Sequence, residues 1–329
     1  MNDRKLQHIE LTNSSQAEFS PLSDLFYYEP LHGAHAKTVD LSVNFAGKKL
    51  SLPLWISSMT GGTGKAKHIN NNLSKVAGNK QIGFGLGSCR PLLESDVFFD
   101  DFHLKHHTKD APYWANLGVA QVSELLSQGR MNEINNLLKR LEVDGLIIHV
   151  NPLQEWMQPE GDVFVEDPLT TIKKTFDKIN FPIIVKEVGQ GMGPRSLKSL
   201  MELPLMAIEF AAYGGTNFTT LEKLRSIDAP EIHDSVTRIG HTALDMVEMT
   251  NKIIKENPSI KCQDFIISGG VREYLTGYYL MNKSLGNCVF GMASPFLNHA
   301  DQGVDKLEDF VNEIEKGLQL ANQYLSIRN

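Results

Sequence analysis

Residues 264–272 read Asp264-Phe265-Ile266-Ile267-Ser268-Gly269-Gly270-Val271-Arg272. A short apolar run ends at a hydroxyl, turns on two glycines and enters a polar stretch. The run is too short for a buried helix, and its lack of alternation suits a parallel strand covered on both faces. Working outward, comparable runs precede it at 50–57, 82–86, 112–116, 145–150, 182–188 and 205–210, and one follows at 287–291. All are rich in Ile, Val, Leu and Phe, and Gly or Pro bounds most of them. Helical stripes lie between the runs. Ile134, Leu137, Leu138 and Leu141 follow i, i+3, i+4, i+7; Ala243, Val247, Thr250 and Ile254 repeat the pattern; Leu307, Phe310, Val311, Ile314 and Leu318 form the last stripe. Asp167-Pro168 supplies an N-cap and first helical residue for 169–179. Eight strands, most of them followed by a helix, predict an α/β fold: a single (β/α)8 TIM barrel with an N-terminal extension. A doubly wound sheet is the alternative, because alternation alone does not separate the two.

Residues 1–49 precede the first strand and form the extension; residues 50–329 form the barrel, with no low-complexity linker between. Hydrophobic residues make up 41% and charged residues 22% of the 329, as in an ordinary globular protein. The net charge of −7 argues against a broad nucleic-acid surface. Cys89, Cys262 and Cys288 are few and far apart, indicating neither a disulfide framework nor a zinc cluster. No run of about 18 apolar residues occurs, so no membrane span is expected. Met1-Asn2-Asp3-Arg4-Lys5 lacks an apolar signal core. The expected setting is soluble and cytoplasmic.

In a barrel, chemistry sits at the C-terminal ends of the strands. Those ends are polar and glycine-rich here: Ser57-Ser58-Met59-Thr60-Gly61-Gly62, Gly87-Ser88-Cys89-Arg90, Asn116-Leu117-Gly118, His149-Val150-Asn151-Pro152-Leu153-Gln154-Glu155, Lys186-Glu187, Tyr213-Gly214-Gly215-Thr216-Asn217, Ser268-Gly269-Gly270-Val271-Arg272 and Gly291-Met292-Ala293. Glycine turns after strands six to eight expose backbone N–H groups to an anion, with Thr216 and Ser268 adding hydroxyls. A phosphate cradle is the reading taken over plain tight turns. Two other motifs fail. Gly61–Ala66 has Met59 and Ala66 where a P-loop needs Gly and Ser or Thr. Gly189, Gly191 and Gly193 would put Pro194 at the last glycine of a dinucleotide fingerprint.

Glu155, flanked by Asn151 and Gln154 and followed by Gln158-Pro159-Glu160-Gly161-Asp162, suits one Mg2+ shared with substrate phosphates; a solvated polar loop is the competing reading. Lys186 stands inside an apolar strand and must meet an anion, either a ligand or Glu187 or Glu209. His103, His106 and His107 near Asp100 and Asp101 read as a solvated surface loop in preference to a metal site, and Arg4, Lys5 and His8, by composition, as a mobile tail.

These residues together resemble the type 2, flavin-dependent isopentenyl-diphosphate isomerases. The resemblance runs from Arg4-Lys5-Leu6-Gln7-His8-Ile9 to Pro295-Phe296-Leu297. The specific elements are Asn151-Pro152-Leu153-Gln154-Glu155, Pro159-Glu160-Gly161-Asp162 and Arg4-Lys5-x-x-His8. The resemblance implies an FMN-binding barrel active with reduced FMN, Mg2+ on the substrate diphosphate, NADPH as reductant, and interconversion of isopentenyl and dimethylallyl diphosphate without net redox change. Carried over by position, Ser58, Met59, Thr60, Ser88, Asn116 and Lys186 resemble flavin ring and ribityl contacts. Thr216, Gly269, Gly270, Arg272, Met292 and Ala293 fall where the flavin phosphate is held; Arg4, Lys5, Arg90, His149, Asn151 and Gln154 resemble the substrate site, and Glu155 the metal ligand. Gln154 and Lys186 are the catalytic candidates, residues 1–49 are expected to close over the substrate, and a homo-oligomer (tetramer or octamer) is expected. The sequence departs from the family pattern at Glu209-Phe210-Ala211-Ala212-Tyr213 before Gly-Gly-Thr, at Arg272-Glu273-Tyr274, and at Asn217, where Ser is common.

Alkene protonation creates a tertiary cation, so the site must be dry, acidic and tolerant of positive charge. An FMN-dependent 2-hydroxy-acid oxidase is the alternative enzyme class, needing a histidine base and arginines for a carboxylate. A non-catalytic phosphate-binding barrel is the third, and the density of polar strand ends argues against it.

Overall fold

In the computed structural model all eight runs are parallel strands: β1 (Leu54–Ile56), β2 (Gly83–Gly85), β3 (Tyr113–Gly118), β4 (Gly145–His149), β5 (Ile183–Lys186), β6 (Ala207–Glu209), β7 (Asp264–Ser268) and β8 (Asn287–Met292). The structure describes residues 2–35, 39–58, 64–158, 160–225 and 232–328. Each strand pairs with the next, and β8 pairs with β1. The sheet is closed, so the doubly wound alternative falls.

The period-two pleat sorts the strands into two apolar sets. Leu54, Ile56, Tyr113, Ala115, Leu146, Ile148, Ile183 and Val185 pack outward in the large core under the helices. Trp55, Trp114, Ile147, Ile184, Ala207, Ile266 and Val289 pack inward, one each from seven strands. The eighth strand, β2, contributes glycine, and packing explains why. A Cβ on Gly83 would lie 1.9 Å from the Trp55 ring, and one on Gly145 2.1 Å from the Trp114 ring. Two indoles thus fill the barrel floor because two glycines make room.

The helical stripes hold as well. Met131–Leu141 buries Ile134, Leu137, Leu138 and Leu141. Ala243–Glu256 opens with a capping box of Thr242 and Asp245, and Val304–Tyr324 closes the barrel wall. Asp167 caps Pro168–Thr175 by accepting from the Thr170 N–H at 3.0 Å.

The extension is partly built into the barrel. Strands Val43–Phe45 and Lys48–Leu50 form a hairpin joined by Ala46 and Gly47, both at positive φ, as a tight two-residue loop requires. Phe45, Ala46 and Leu50 join the inward cluster, with the Phe45 ring 6.0 Å from Trp55 in an edge arrangement. Lys48 pairs with Asp144 at 2.6 Å, and Asp144 also accepts from the Tyr113 N–H at 2.8 Å. The hairpin therefore plugs the N-terminal end of the barrel. Farther back, Phe26–Tyr28 pairs antiparallel with Leu325–Ile327. The helix Asn2–Leu11 is exposed along residues 4–11.

Candidate active site at the C-terminal mouth of the barrel

Two residues beyond each inward apolar residue lies the next inward position, one layer nearer the C-terminal mouth. Trp55 is followed so by Ser57, Trp114 by Asn116, Ile147 by His149, Ile184 by Lys186, Ala207 by Glu209, Ile266 by Ser268 and Val289 by Gly291. An apolar layer gives way in one step to a polar one. His149, Lys186 and Glu209 are direct register partners on β4, β5 and β6.

A cavity of about 610 Å³ opens above this layer. Ser58, Lys186 and Thr216 line it, as do Gly269, Gly270 and Arg272 after β7 and Met292 and Ala293 after β8. The structure thus brings eight of the predicted cofactor residues to one wall. Asn116 and Ser88 lie outside that lining, and Met59 and Thr60 lie outside the described residues. The turn glycines are required: Gly269 and Gly270 sit at φ +87° and +74°, and a Cβ on Gly269 would lie 2.1 Å from Ala212 backbone. Among the described residues lining the cavity, Ser57 Oγ, Ser58 Oγ and Glu209 Oε2 are buried without a hydrogen-bond partner, as are Asn151 Oδ1 and, in the floor, the Trp55 and Trp114 Nε1 atoms. Buried polar atoms carry a desolvation cost that a ligand can remove. The three orphan atoms lining the cavity, with a glycine cradle open to an anion at one end, fit a long polar ligand with a phosphate.

Lys186 is 5% exposed, and its Nζ donates to the Glu187 carbonyl at 2.9 Å. Of the expected partners, neither carboxylate takes it. Glu187 turns its side chain the other way and accepts from the N–H groups of Gly189, Gln190 and Gly191 at 2.7, 2.6 and 2.9 Å. Burial pushes the Glu187 carboxyl up, while those N–H groups pull it down. Glu209 accepts from Ser268 Oγ at 3.1 Å.

Asn116 Nδ2 donates to the Leu86 carbonyl at 3.1 Å, so its Oδ1 faces His149 Nδ1 at 2.8 Å. That assigns the proton to Nδ1 and leaves Nε2 an acceptor. Burial, then the Lys186 cation, lower the His149 pKa to about 3. His149 is a neutral hydrogen-bonding group at neutral pH, and poorly matched to act as a general base.

The loop after β4 enters the helix Pro152–Met157. Asn151 Nδ2 donates to Gln154 Oε1 at 3.0 Å and to Glu155 Oε1 at 2.7 Å. Glu155 Oε2 accepts from the Asp162 N–H at 2.8 Å. Asp162 in turn pairs with Arg90 at 3.0 Å and accepts from Gln121 at 2.6 Å. Each Glu155 oxygen thus keeps a lone pair. Among the described residues no group of three or more His, Cys, Asp or Glu is placed to hold a metal, so a cation at Glu155 must take its other ligands from elsewhere. Arg90, Asn151, Gln154 and Glu155 come together; Arg4 and Lys5 are exposed, with no bond to this cluster. His103 bonds Glu142 at 2.9 Å.

Sequence reasoning missed Glu222. It is 4% exposed on the helix Phe218–Arg225 and accepts from Gln154 Nε2 at 3.0 Å, Gln158 Nε2 at 2.9 Å and Arg225 at 2.6 Å. Gln190 was missed also: it anchors the loop after β5. The signal available was a glutamate six residues after Gly215-Thr216, without periodicity to mark its partner. Asn217 does donate from its amide, to the Thr237 carbonyl at 3.1 Å.

The relatives decide the family. A protein of Rickettsia africae (strain ESF-5) named isopentenyl-diphosphate delta-isomerase is 32% identical over 325 residues, 97% of this chain and 92% of that one. The Rickettsia prowazekii (strain Madrid E) protein of the same name is 32% identical over 305 residues, covering 91% and 86%. The chain belongs to the isopentenyl-diphosphate delta-isomerase family. No protein-family profile matches this isomerase-family chain. Its barrel resembles solved structures of a mandelate oxidase mutant with a monooxide FMN adduct (TM-score 0.58, 11% identity, covering 93% and 88%) and of a flavocytochrome b2 mutant with benzoylformate (TM-score 0.62, 13% identity, covering 93% and 76%). At such identities the likeness speaks to fold alone. The isomerase relationship covers nearly the whole chain and overrides the oxidase alternative, which His149 also serves poorly. No helix among the described residues is long and apolar enough to cross a membrane.

Proposed function

We propose that this protein interconverts isopentenyl and dimethylallyl diphosphate, using reduced FMN in the cavity at the barrel mouth, Mg2+ on the diphosphate, and NADPH to reduce the flavin. The observation that carries the proposal is the wall of that cavity: Lys186, three orphan buried polar atoms and the Gly269-Gly270 turn at positive φ, in a chain of this family. Thr216, Gly269, Gly270, Arg272, Met292 and Ala293 would hold the flavin phosphate; Ser58, Met59, Thr60, Ser88, Asn116 and Lys186 would hold the ring and ribityl chain. Reduced FMN supplies a proton donor and an electron-rich face when bound.

The protein's own residues then have defined tasks. The reaction adds a proton at the terminal alkene carbon and removes one from the carbon nearer the diphosphate, so charge balances without net redox change. Lys186, a buried cation without a carboxylate partner among the described residues, stabilises negative charge on the ligand beside it. Glu155 would hold Mg2+ through one carboxylate, and the ion would supply positive charge to offset the diphosphate. Gln154 has no accessible pKa; its amide, held at both ends by Asn151 and Glu222, orients substrate or proton. His149 and Asn151 bind as neutral groups, and Arg90 with Arg4 and Lys5 of the extension binds the diphosphate. Of the extension, only the N-terminal segment that carries Arg4 and Lys5 would close over the substrate, because the hairpin of residues 43–50 plugs the opposite end of the barrel; remote phosphate binding would then position a small alkene. We further propose a cytoplasmic tetramer or octamer.

The test is direct: purified protein should bind FMN with a visible absorbance band and convert isopentenyl diphosphate only after reduction. A protein with no FMN affinity overturns the proposal.

A further inference from the structure

The loops after β5 and β6 are joined by one buried residue, Gln190, with every polar group of its backbone and side chain in use. Gln190 is 6% exposed. Its N–H donates to Glu187 Oε2 at 2.6 Å, and its carbonyl accepts from the His241 N–H at 2.8 Å. Its Nε2 donates to the carbonyls of Val236 and Ile239 at 3.1 and 2.8 Å. Its Oε1 accepts from Thr219 Oγ1 at 2.7 Å, a bond buried on both sides. Thr219 is 1% exposed and stands one helical turn before Glu222. Residues three apart share a helix face, so Thr219 reaches Gln190 and Glu222 reaches Gln154.

At one end of this chain the Glu187 carbonyl holds Lys186 Nζ; at the other Glu222 holds the Gln154 amide. Hydrogen bonds link Lys186 to Glu187, Glu187 to Gln190, Gln190 to Thr219, and Glu222 to Gln154; between Thr219 and Glu222 the connection is the helix itself. Gln190 and Thr219 do not line the cavity.

We infer that Gln190 is a positioning residue for the isomerisation: through Thr219 it fixes the helix Phe218–Arg225 so that Glu222 orients the Gln154 amide relative to Lys186. The inference rests on Gln154 serving the reaction. One neutral bond, from Thr219 to Gln190, fixes the helix rotation that the Glu222 carboxylate then transmits; a small displacement at Gln154 is enough to lower turnover, since misplacement of about 1 Å costs up to about a hundredfold.

The experiment uses the full-length, FMN-loaded, reduced enzyme with isopentenyl diphosphate and Mg2+. Thr219→Val removes the hydroxyl at constant shape, Thr219→Ala removes it with less volume, and Thr219→Ser restores it. Expected are a kcat lower by about tenfold or more in Val and Ala, KM and flavin affinity within about twofold of wild type, and recovery in Ser. In a Glu222→Gln background the same Thr219→Val change should cost less than about twofold further, because the path is already cut. Equal losses in both backgrounds, lost flavin affinity, loss of the folded protein in both Val and Ala, or failure of Ser to recover each overturn the inference. Gln154→Ala is measured alongside. If it turns over at the wild-type rate, the role given to Gln154 fails; if it is impaired while Thr219→Val is not, only the positioning role of Gln190 fails.

Discussion

Single residues carry the chemistry through what surrounds them. His149 is kept neutral because protonating it inside the barrel, beside Lys186, is unfavourable. Its folded pKa of about 3 lies below the ordinary value of 6.5. Between these values the unfolded chain binds a proton that the folded chain does not, so stability is full above about pH 6.5 and is lost progressively as pH falls toward 3. The difference in unfolding free energy between wild type and His149→Gln, followed by denaturant titration from pH 7 to 4, should therefore shrink on acidification; a constant difference contradicts a neutral, desolvated imidazole. Gln154→Ala leaves Asn151 bonded to Glu155 and Gln158 bonded to Glu222. Stability should change by only about 0.5 kcal/mol, while kcat and kcat/KM fall together with FMN bound. Unchanged turnover would remove the residue from the mechanism. Glu155→Gln should raise the Mg2+ concentration needed for half-maximal rate more than it lowers FMN content, and full activity in excess chelator would count against the metal role. The polar layer above the barrel floor was legible in the sequence because strand periodicity is two: finding the strand ends at Asn116, His149, Lys186 and Ser268 fixes which side chains face inward. Glu222 and Gln190 were not legible, because the bonds that give them a role, to Gln154 and to Thr219, span 68 and 29 residues, and no local pattern records such pairings.

At the level of elements, the strands were legible because buried parallel strands are written as unbroken apolar runs, bounded by glycine or proline. The floor hairpin was not. Its strands have three residues each, too short to show a period, and its loop is Ala46-Gly47 without the usual Asn-Gly signal. The connection after β6 was also hidden, since it carries the helices Phe218–Arg225 and Ile232–Thr237 before the one that packs on the barrel. Packing of the floor makes a prediction. Gly145→Ala places a methyl against the Trp114 ring and the Pro182 carbonyl; it should destabilise the protein by about 3 kcal/mol, read as a lowered unfolding midpoint. An unaltered midpoint would mean that the indole moves freely. The N-terminal helix makes another. Residues 4–9 are exposed in the structure, so deleting residues 1–9 should leave the fold and FMN intact. If Arg4 and Lys5 clamp the diphosphate, KM should rise, each lost charge-assisted contact costing about 1.5–3 kcal/mol. A wild-type KM in the truncated enzyme rules the clamp out.

The whole molecule divides along the barrel axis. Trp55, Trp114 and the hairpin close one end; glycine turns and polar strand ends open the other. The family resemblance follows the second half of that division: its specific motifs sit in the loop after β4 and in the N-terminal segment, where the fold alone makes no demand. Mandelate oxidase and flavocytochrome b2 share the barrel with little sequence identity, so architecture does not choose between redox turnover and isomerisation; the residues at the mouth do. The central claim is an isomerisation that needs reduced flavin yet consumes no reducing equivalents. The measurement is flavin absorbance followed anaerobically, after stoichiometric reduction, while isopentenyl diphosphate is converted through many turnovers. The account predicts dimethylallyl diphosphate in large excess over flavin, with the flavin still reduced at the end and no activity before reduction. Turnover by the oxidised enzyme, or one flavin oxidised per product formed, would contradict it.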